Sequence, residues 1–304
     1  MGKIDLRPMT LGEVLDRTFK LYKENFWLFA GIVALPYLIL VIFSVVYSSL
    51  LLGPGLTGAG PGQTVEMLGE AAASMLLYGL IYLLVFASAQ AATVAAVSDL
   101  YLGREVRLSQ AYVRVRGRIL TVLLTMFLVV LLSLSPVLLA AIFVPLLMRN
   151  RAFAVLTLPL MVAILVLSIM MLCRTALAVP AATLEDVGAD GAIGRSFRLT
   201  KGSAAQIFAV YVLLLFLTFL AMLIFQFPFL AAEGSLLKPH ALSLAMRVLQ
   251  GVSSWVSGVI VAPIGTIAFA LIYYNQRVRK EAFDLEKLIA STEPGDTPTA
   301  AFPA

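Results

Sequence analysis

Six long apolar runs, separated by short charged segments, decide what this chain can fold into. They cover residues 26–52, 71–97, 119–148, 152–182, 207–232 and 248–274; five contain no charged residue and the fourth contains only Arg174. Each exceeds the about 20 residues that a helix needs to cross the hydrocarbon core of a bilayer. Apolar character continues around every side of the runs, without two-residue alternation, so they read as helices rather than barrel strands. The expected fold is all-α, a polytopic membrane bundle of six transmembrane helices. With 61% hydrophobic and 13% charged residues, the chain has too little polar surface to cover itself in water. No segment between the runs is long enough to bury a core of its own. Residues 1–287 therefore read as one membrane domain, and the Pro-, Thr- and Ala-rich residues 288–304 as a disordered tail.

Lys and Arg set the orientation. With six crossings, the two termini and the segments 98–118 and 181–205 share a side, which carries 17 of the 22 basic residues. The opposite side carries Arg149, Arg151, Lys238 and Arg247. The basic side is expected to be cytoplasmic, with both ends of the chain in the cytoplasm and the protein in the cell membrane. A cleaved signal peptide is not expected, because mostly polar residues precede a first run too long for a signal core. The net charge of +5 sits at the ends of the runs, where anionic headgroups account for it; no nucleic-acid partner is expected.

Each odd-numbered run is preceded by a basic amphipathic segment, expected to be an interfacial helix with its apolar face toward lipid. In the first, 10–25, Thr10 and Glu13 have capping-box spacing, and Leu11, Val14, Leu15, Phe19 and Tyr22 share one helical face. The second covers 108–118. The third covers 190–202, with Asp190 as the expected N-cap and Gly202 as the breaker. The chain thus reads either as three parallel copies of one unit (10–97, 108–182 and 190–275) or as a six-span protein with three ordinary basic entries. Repeats of this kind occur in transporters.

Two sets of residues are candidates for function. Arg17, Lys20, Arg114, Arg116, Arg195, Arg198 and Lys201 lie on the three basic segments and are expected to meet anionic lipid headgroups. Arg174, Gln90 and Gln226 lie within the runs and form the candidate in-membrane polar site. Arg174 falls near the cytoplasmic end, where snorkelling or pairing with Asp99, Glu185 or Asp186 offsets its burial. The glycine pattern at 53–58 lacks the strand and helix a nucleotide fingerprint requires. Single residues Cys173 and His240 exclude a disulfide and most metal sites. No hydrolase or P-loop motif is present, so neither an enzyme nor a cofactor is expected.

Three stretches carry a family likeness: LRPMTLGEVLDRTFKLY at 6–22, PAATLE at 180–185 with GRSFRLTKG at 194–202, and LIYYNQRVRKEAFDLE at 271–286. Together they resemble a prokaryotic six-span family labelled "glycerophosphoryl diester phosphodiesterase membrane domain". The resemblance spans residues 5–287 and implies the membrane part alone. In that family the phosphodiesterase chemistry belongs to a separate soluble barrel with a divalent metal, and no stretch of this sequence supplies one. Asn275 departs from the Asp that relatives often carry after the paired tyrosines, which leaves no carboxylate there. The resulting expectation is a non-catalytic module that interacts with membrane lipids or anchors a protein partner at the cytoplasmic face. The alternative is a transporter or permease for a small or lipid-like substrate, with a central cavity lined by Arg174, Gln90 or Gln226.

Overall fold

The computed structural model describes residues 9–51, 61–149, 155–229, 231 and 244–292. The glycine-rich stretch 53–58, His240 and residues 293–304 lie outside them. The described chain is all-α. Its helices are α1 (Leu11–Glu24), α2 (Phe26–Leu51), α3 (Pro61–Tyr101), α4 (Leu108–Val115), α5 (Ile119–Met148), α6 (Thr157–Thr175), α7 (Ala178–Leu184), α8 (Ala189–Thr200), α9 (Ala204–Phe225) and α10 (Leu244–Thr292). A single 3-10 turn, Arg116–Arg118, joins α4 to α5. Six helical stretches are long and apolar enough to cross a membrane: Phe26–Val46, Ala72–Tyr101, Leu108–Pro145, Thr157–Leu184, Ala204–Phe225 and Ala245–Glu281. The protein is a multi-pass membrane protein. A short helix followed by two long ones occurs three times along the chain.

Burial separates central from peripheral helices. About half of the apolar window is buried in α3 (56%) and α10 (50%), against 6% in the window that contains α5. Along the central helices, the buried residues gather toward one end: Phe29 to Val33 on α2, Val85 to Ser98 on α3, and Val259 to Gln276 on α10. Short helices α1, α4, α7 and α8 pack on this same end, called here the basic end. The other halves of α5, α6 and α9 turn leucines, valines and phenylalanines outward, as lipid permits.

The short helices differ from the flat interfacial segments that the sequence suggests, because their apolar faces are occupied by the bundle. Val14 and Thr18 of α1, Ala111 and Val115 of α4, and Ala192, Ser196, Leu199 and Thr200 of α8 are buried. Helix α1 begins with the expected capping box, the Glu13 amide donating to Thr10 and the Glu13 carboxylate accepting from the Thr10 amide. Its two ends are both tied to α10. Met9 bonds Asn275, and the Tyr22 hydroxyl donates to the Ile260 carbonyl at 2.8 Å. Those anchors lie about 22 Å apart along α10, so α1 runs lengthwise beside the last helix rather than across the membrane face.

Three further boundaries depart from the sequence reading. Helix α8 starts after Gly188, and Asp190 sits in its first turn instead of capping it; there its carboxylate faces the positive end of the helix dipole. Gly202 does break the chain, at φ +84°. The fourth run is split, with α6 ending at Thr175 and α7 starting at Ala178. Pro180 has no amide to offer the carbonyl of Ala176 and its ring crowds that turn, which favours the break there, whereas Pro36, Pro136, Pro145 and Pro263 lie inside continuous helices. Finally, α10 extends without interruption through its charged residues to Thr292, so the first residues of the expected tail are helical. Its 49 residues span about 74 Å, far beyond the about 30 Å of a hydrocarbon core.

Candidate functional site: a polar junction at the basic end

The break between α6 and α7 leaves backbone groups without helical partners, and α8 supplies them. The Leu177 amide donates to Ser196 Oγ at 3.1 Å, and that hydroxyl donates to the Arg174 carbonyl at 2.6 Å. Thr200, one turn on, also donates to the Arg174 carbonyl at 3.4 Å. A buried hydroxyl that both accepts and donates is the chemistry required at a helix break.

Beside this stitch lies a chain of alternating charges. Glu185, immediately after α7, accepts from Arg195 Nε of α8 at 2.8 Å and from the Tyr273 hydroxyl of α10. The Arg195 guanidinium also pairs with Glu281, which accepts from Arg277 Nε at 2.7 Å. The side chains of Glu185 and Arg195 are only 15% and 18% exposed. Burial alone raises the pKa of Glu185, but hydrogen bonds from Tyr273 and Arg195, and the charges of Arg195 and Arg277, outweigh it and hold the carboxyl below its ordinary range.

Two cations close helix C-termini, where carbonyls lack partners. Arg118 donates to the carbonyls of Thr183 (3.3 Å) and Glu185 at the end of α7, with the Asp186 carboxylate 3.6 Å away. Lys280 Nζ donates to the carbonyls of Arg198 and Lys201 at the end of α8, both at 2.7 Å. Asn275 clamps the chain entry from both directions. It accepts from the Met9 amide at 2.8 Å and donates to the Met9 carbonyl at 3.0 Å, beside Arg279, which donates to the same carbonyl at 2.7 Å. A carboxylate in this position has no proton to give at neutral pH, so the amide suits the contact better than Asp. On the flank, Asp99 holds Arg104 (3.4 Å) and Arg114. Tyr101 stacks on Tyr274 with centroids 5.0 Å apart, and Arg17 lies 4.9 Å over the Tyr101 ring. The stretches around Met9, Glu185, Arg195 and Tyr273, far apart in sequence, thus meet in one place.

The candidate headgroup residues separate into two groups. Arg17, Arg114 and Arg195 are engaged by the protein as described, Arg195 the most deeply. Lys20 is 75% exposed and among the described residues reaches only Glu24, at 4.0 Å. Arg116, Arg198 and Lys201 are exposed, and their side chains have no partner among the described residues.

The in-membrane candidates do not assemble. Arg174 stays at the basic end, where its guanidinium donates to the Phe197 carbonyl at 3.4 Å. None of its expected acidic partners holds it, since Asp99, Glu185 and Asp186 are taken by Arg114, Arg195 and Arg118. Gln90 lies at mid-helix in α3, accepts from the Thr266 hydroxyl, and lines a cavity of about 330 Å³. Gln226 follows α9 at the other end, its amide nitrogen buried without a partner among the described residues. Arg174 and Gln226 do not line that cavity. Among the described residues no group of His, Cys, Asp and Glu could hold a metal ion, and Cys173 is buried.

Ser196, Tyr273, Glu281, Arg118 and Lys280 escaped the sequence reading. The one signal available was Pro180 within an apolar run, which frees a backbone carbonyl that then needs another partner. Compared with protein-family models, with curated proteins and with solved structures, the chain matches none of them.

Proposed function

We propose that this protein is a non-catalytic module of the cytoplasmic membrane, with both termini in the cytoplasm, that binds anionic lipid headgroups through its basic end. The observation that carries the reading is the division among its cations. The acids of the junction are neutralised by Arg195, Arg118, Arg114 and Arg277, while Arg116, Arg198 and Lys201 face outward with no carboxylate partner among the described residues. A basic residue near an anionic surface contributes about 1 kcal/mol of attraction. The inner ion pairs hold the short helices in place, so the outer charges form a fixed surface.

The test is lipid selection by the full chain in nanodiscs mixing phosphatidylglycerol and phosphatidylcholine, read by native mass spectrometry. The wild type is expected to retain phosphatidylglycerol preferentially, and R116Q/R198Q/K201Q to lose that preference at unchanged thermal stability. Equal retention of both lipids by the wild type overturns the reading. A surface that instead captures an acidic protein partner would show salt-sensitive protein binding with no lipid preference. The permease alternative draws on the cavity at Gln90, and solute flux in proteoliposomes that Q90A abolishes would favour it.

A further inference from the structure

The cavity at Gln90 is bounded by α2, α3, α9 and α10 and contains about 330 Å³, within the lower range of small-molecule sites. Tyr37, Gln90, Thr218 and Ser257 on its wall each come from near the middle of a membrane-crossing stretch. The site therefore lies roughly 15 Å from either headgroup layer. Leu214, Ala221, Val261 and Ala262 give it aliphatic surface, Phe86 and Phe269 add aromatic surface, and none of its lining residues is charged. Glycine shapes it: a Cβ on Gly258 would lie 2.6 Å from the Tyr37 ring, so only glycine lets that ring lie against α10.

Three polar groups on this wall are unspent. The carbonyl of the Gln90 amide accepts from Thr266, but its nitrogen has no partner among the described residues, and neither do the hydroxyls of Tyr37 and Ser257. At this depth there is no bulk water to satisfy them, and each unpaired donor carries a desolvation cost. Their common need is an acceptor oxygen. Phospholipid ester carbonyls cannot supply it, because reaching mid-depth would drag a charged headgroup into hydrocarbon.

We infer that this cavity binds an uncharged lipophile bearing a carbonyl or hydroxyl oxygen, which accepts hydrogen bonds from Tyr37, Gln90 and Ser257 while its apolar body lies between Phe86 and Phe269. The inference is independent of the headgroup reading, since none of these residues belongs to the charged junction or is one of the outward cations. It also differs from the permease alternative, because occupancy requires no path to either surface.

The experiment uses the full chain in phosphatidylcholine nanodiscs with two photoactivatable probes, a diazirine-bearing hexadecan-2-one and the matching hexadecane. The ketone is expected to label peptides of α2 and α10 well above the alkane, and excess unlabelled hexadecan-2-one to suppress that labelling. Y37F/S257A removes two oxygens without adding bulk and is expected to lower the apparent affinity about tenfold, as for two hydrogen bonds. Equal labelling by both probes in the wild type, without competition, means an apolar packing gap filled by acyl chains and overturns the inference. Undiminished ketone labelling in the double variant overturns the assigned contacts. The wild-type competition arm decides the matter even if the double variant fails to fold.

Discussion

The basic end and the opposite half of this bundle are built by different forces. At the basic end, small side chains such as Ala91, Ala92, Ala95, Ala181 and Ala192 are buried, and hydroxyls, amides and charges are threaded between helices with partners in reach. In the opposite half, Leu138, Leu139, Phe143, Leu165, Val166 and Phe216 are exposed. Lipid tails are as apolar as leucine, so nothing drives those faces together. The difference teaches where specificity resides: the far half has to be apolar, whereas the basic end has to be this particular set of residues.

That contrast can be broken most severely at Arg195. R195L leaves Glu185 and Glu281 facing each other with their shared cation removed. Losing one side of a largely buried pair costs about 3 kcal/mol, and a fall in thermal unfolding temperature in detergent measures it. S196A should come next, at about 2 kcal/mol, because the Leu177 amide and the Arg174 carbonyl both lose a partner in a buried setting. Faster proteolysis between α6 and α7 would accompany that loss.

N275D is expected to cost about 1 kcal/mol, since Arg279 still serves the Met9 carbonyl when the amide donor is gone. Limited proteolysis should then release α1 sooner than in the wild type. Acid tests the same end without a mutation. The carboxyl of Glu185 is held below its ordinary value in the fold, so its contribution is fully present above the unfolded pKa, about 4.3. It disappears as pH falls through the folded value. Unfolding temperature should drop below about pH 4, and R195L should flatten that dependence.

L165A, on the outward face of α6, sharpens the comparison from the other side. It is expected to change stability by less than about 0.5 kcal/mol, because lipid replaces the methyl groups removed. A loss comparable to that of S196A would show the far half to be more tightly packed than described.

What was legible in the sequence follows the same division. Spans, the capping box at Thr10 and Glu13, and the concentration of basic residues depend on local composition or on spacing within one helix, and they are readable from the chain alone. The choice of partners is not local. Arg195 and Arg198 are three residues apart and look alike in sequence, yet one meets Glu185 and the other meets solvent. Only the packing of α8 against α7 and α10 separates them. Likewise Pro180 favours a break, but nothing nearby says that Ser196 repairs it. Helix α1 is amphipathic on either reading, and only the ties at its two ends, Met9–Asn275 across 266 positions and Tyr22–Ile260, tell protein docking from membrane docking.

Helix α10 gives the two halves a mechanical connection. Thr266 stands in the wall of the mid-depth cavity and Tyr273 in the charged junction, two turns or about 10.5 Å apart. No proline or glycine interrupts the residues between them. The segment is a continuous helical strut that joins the wall of the cavity to Tyr273 and, through its hydroxyl, to Glu185.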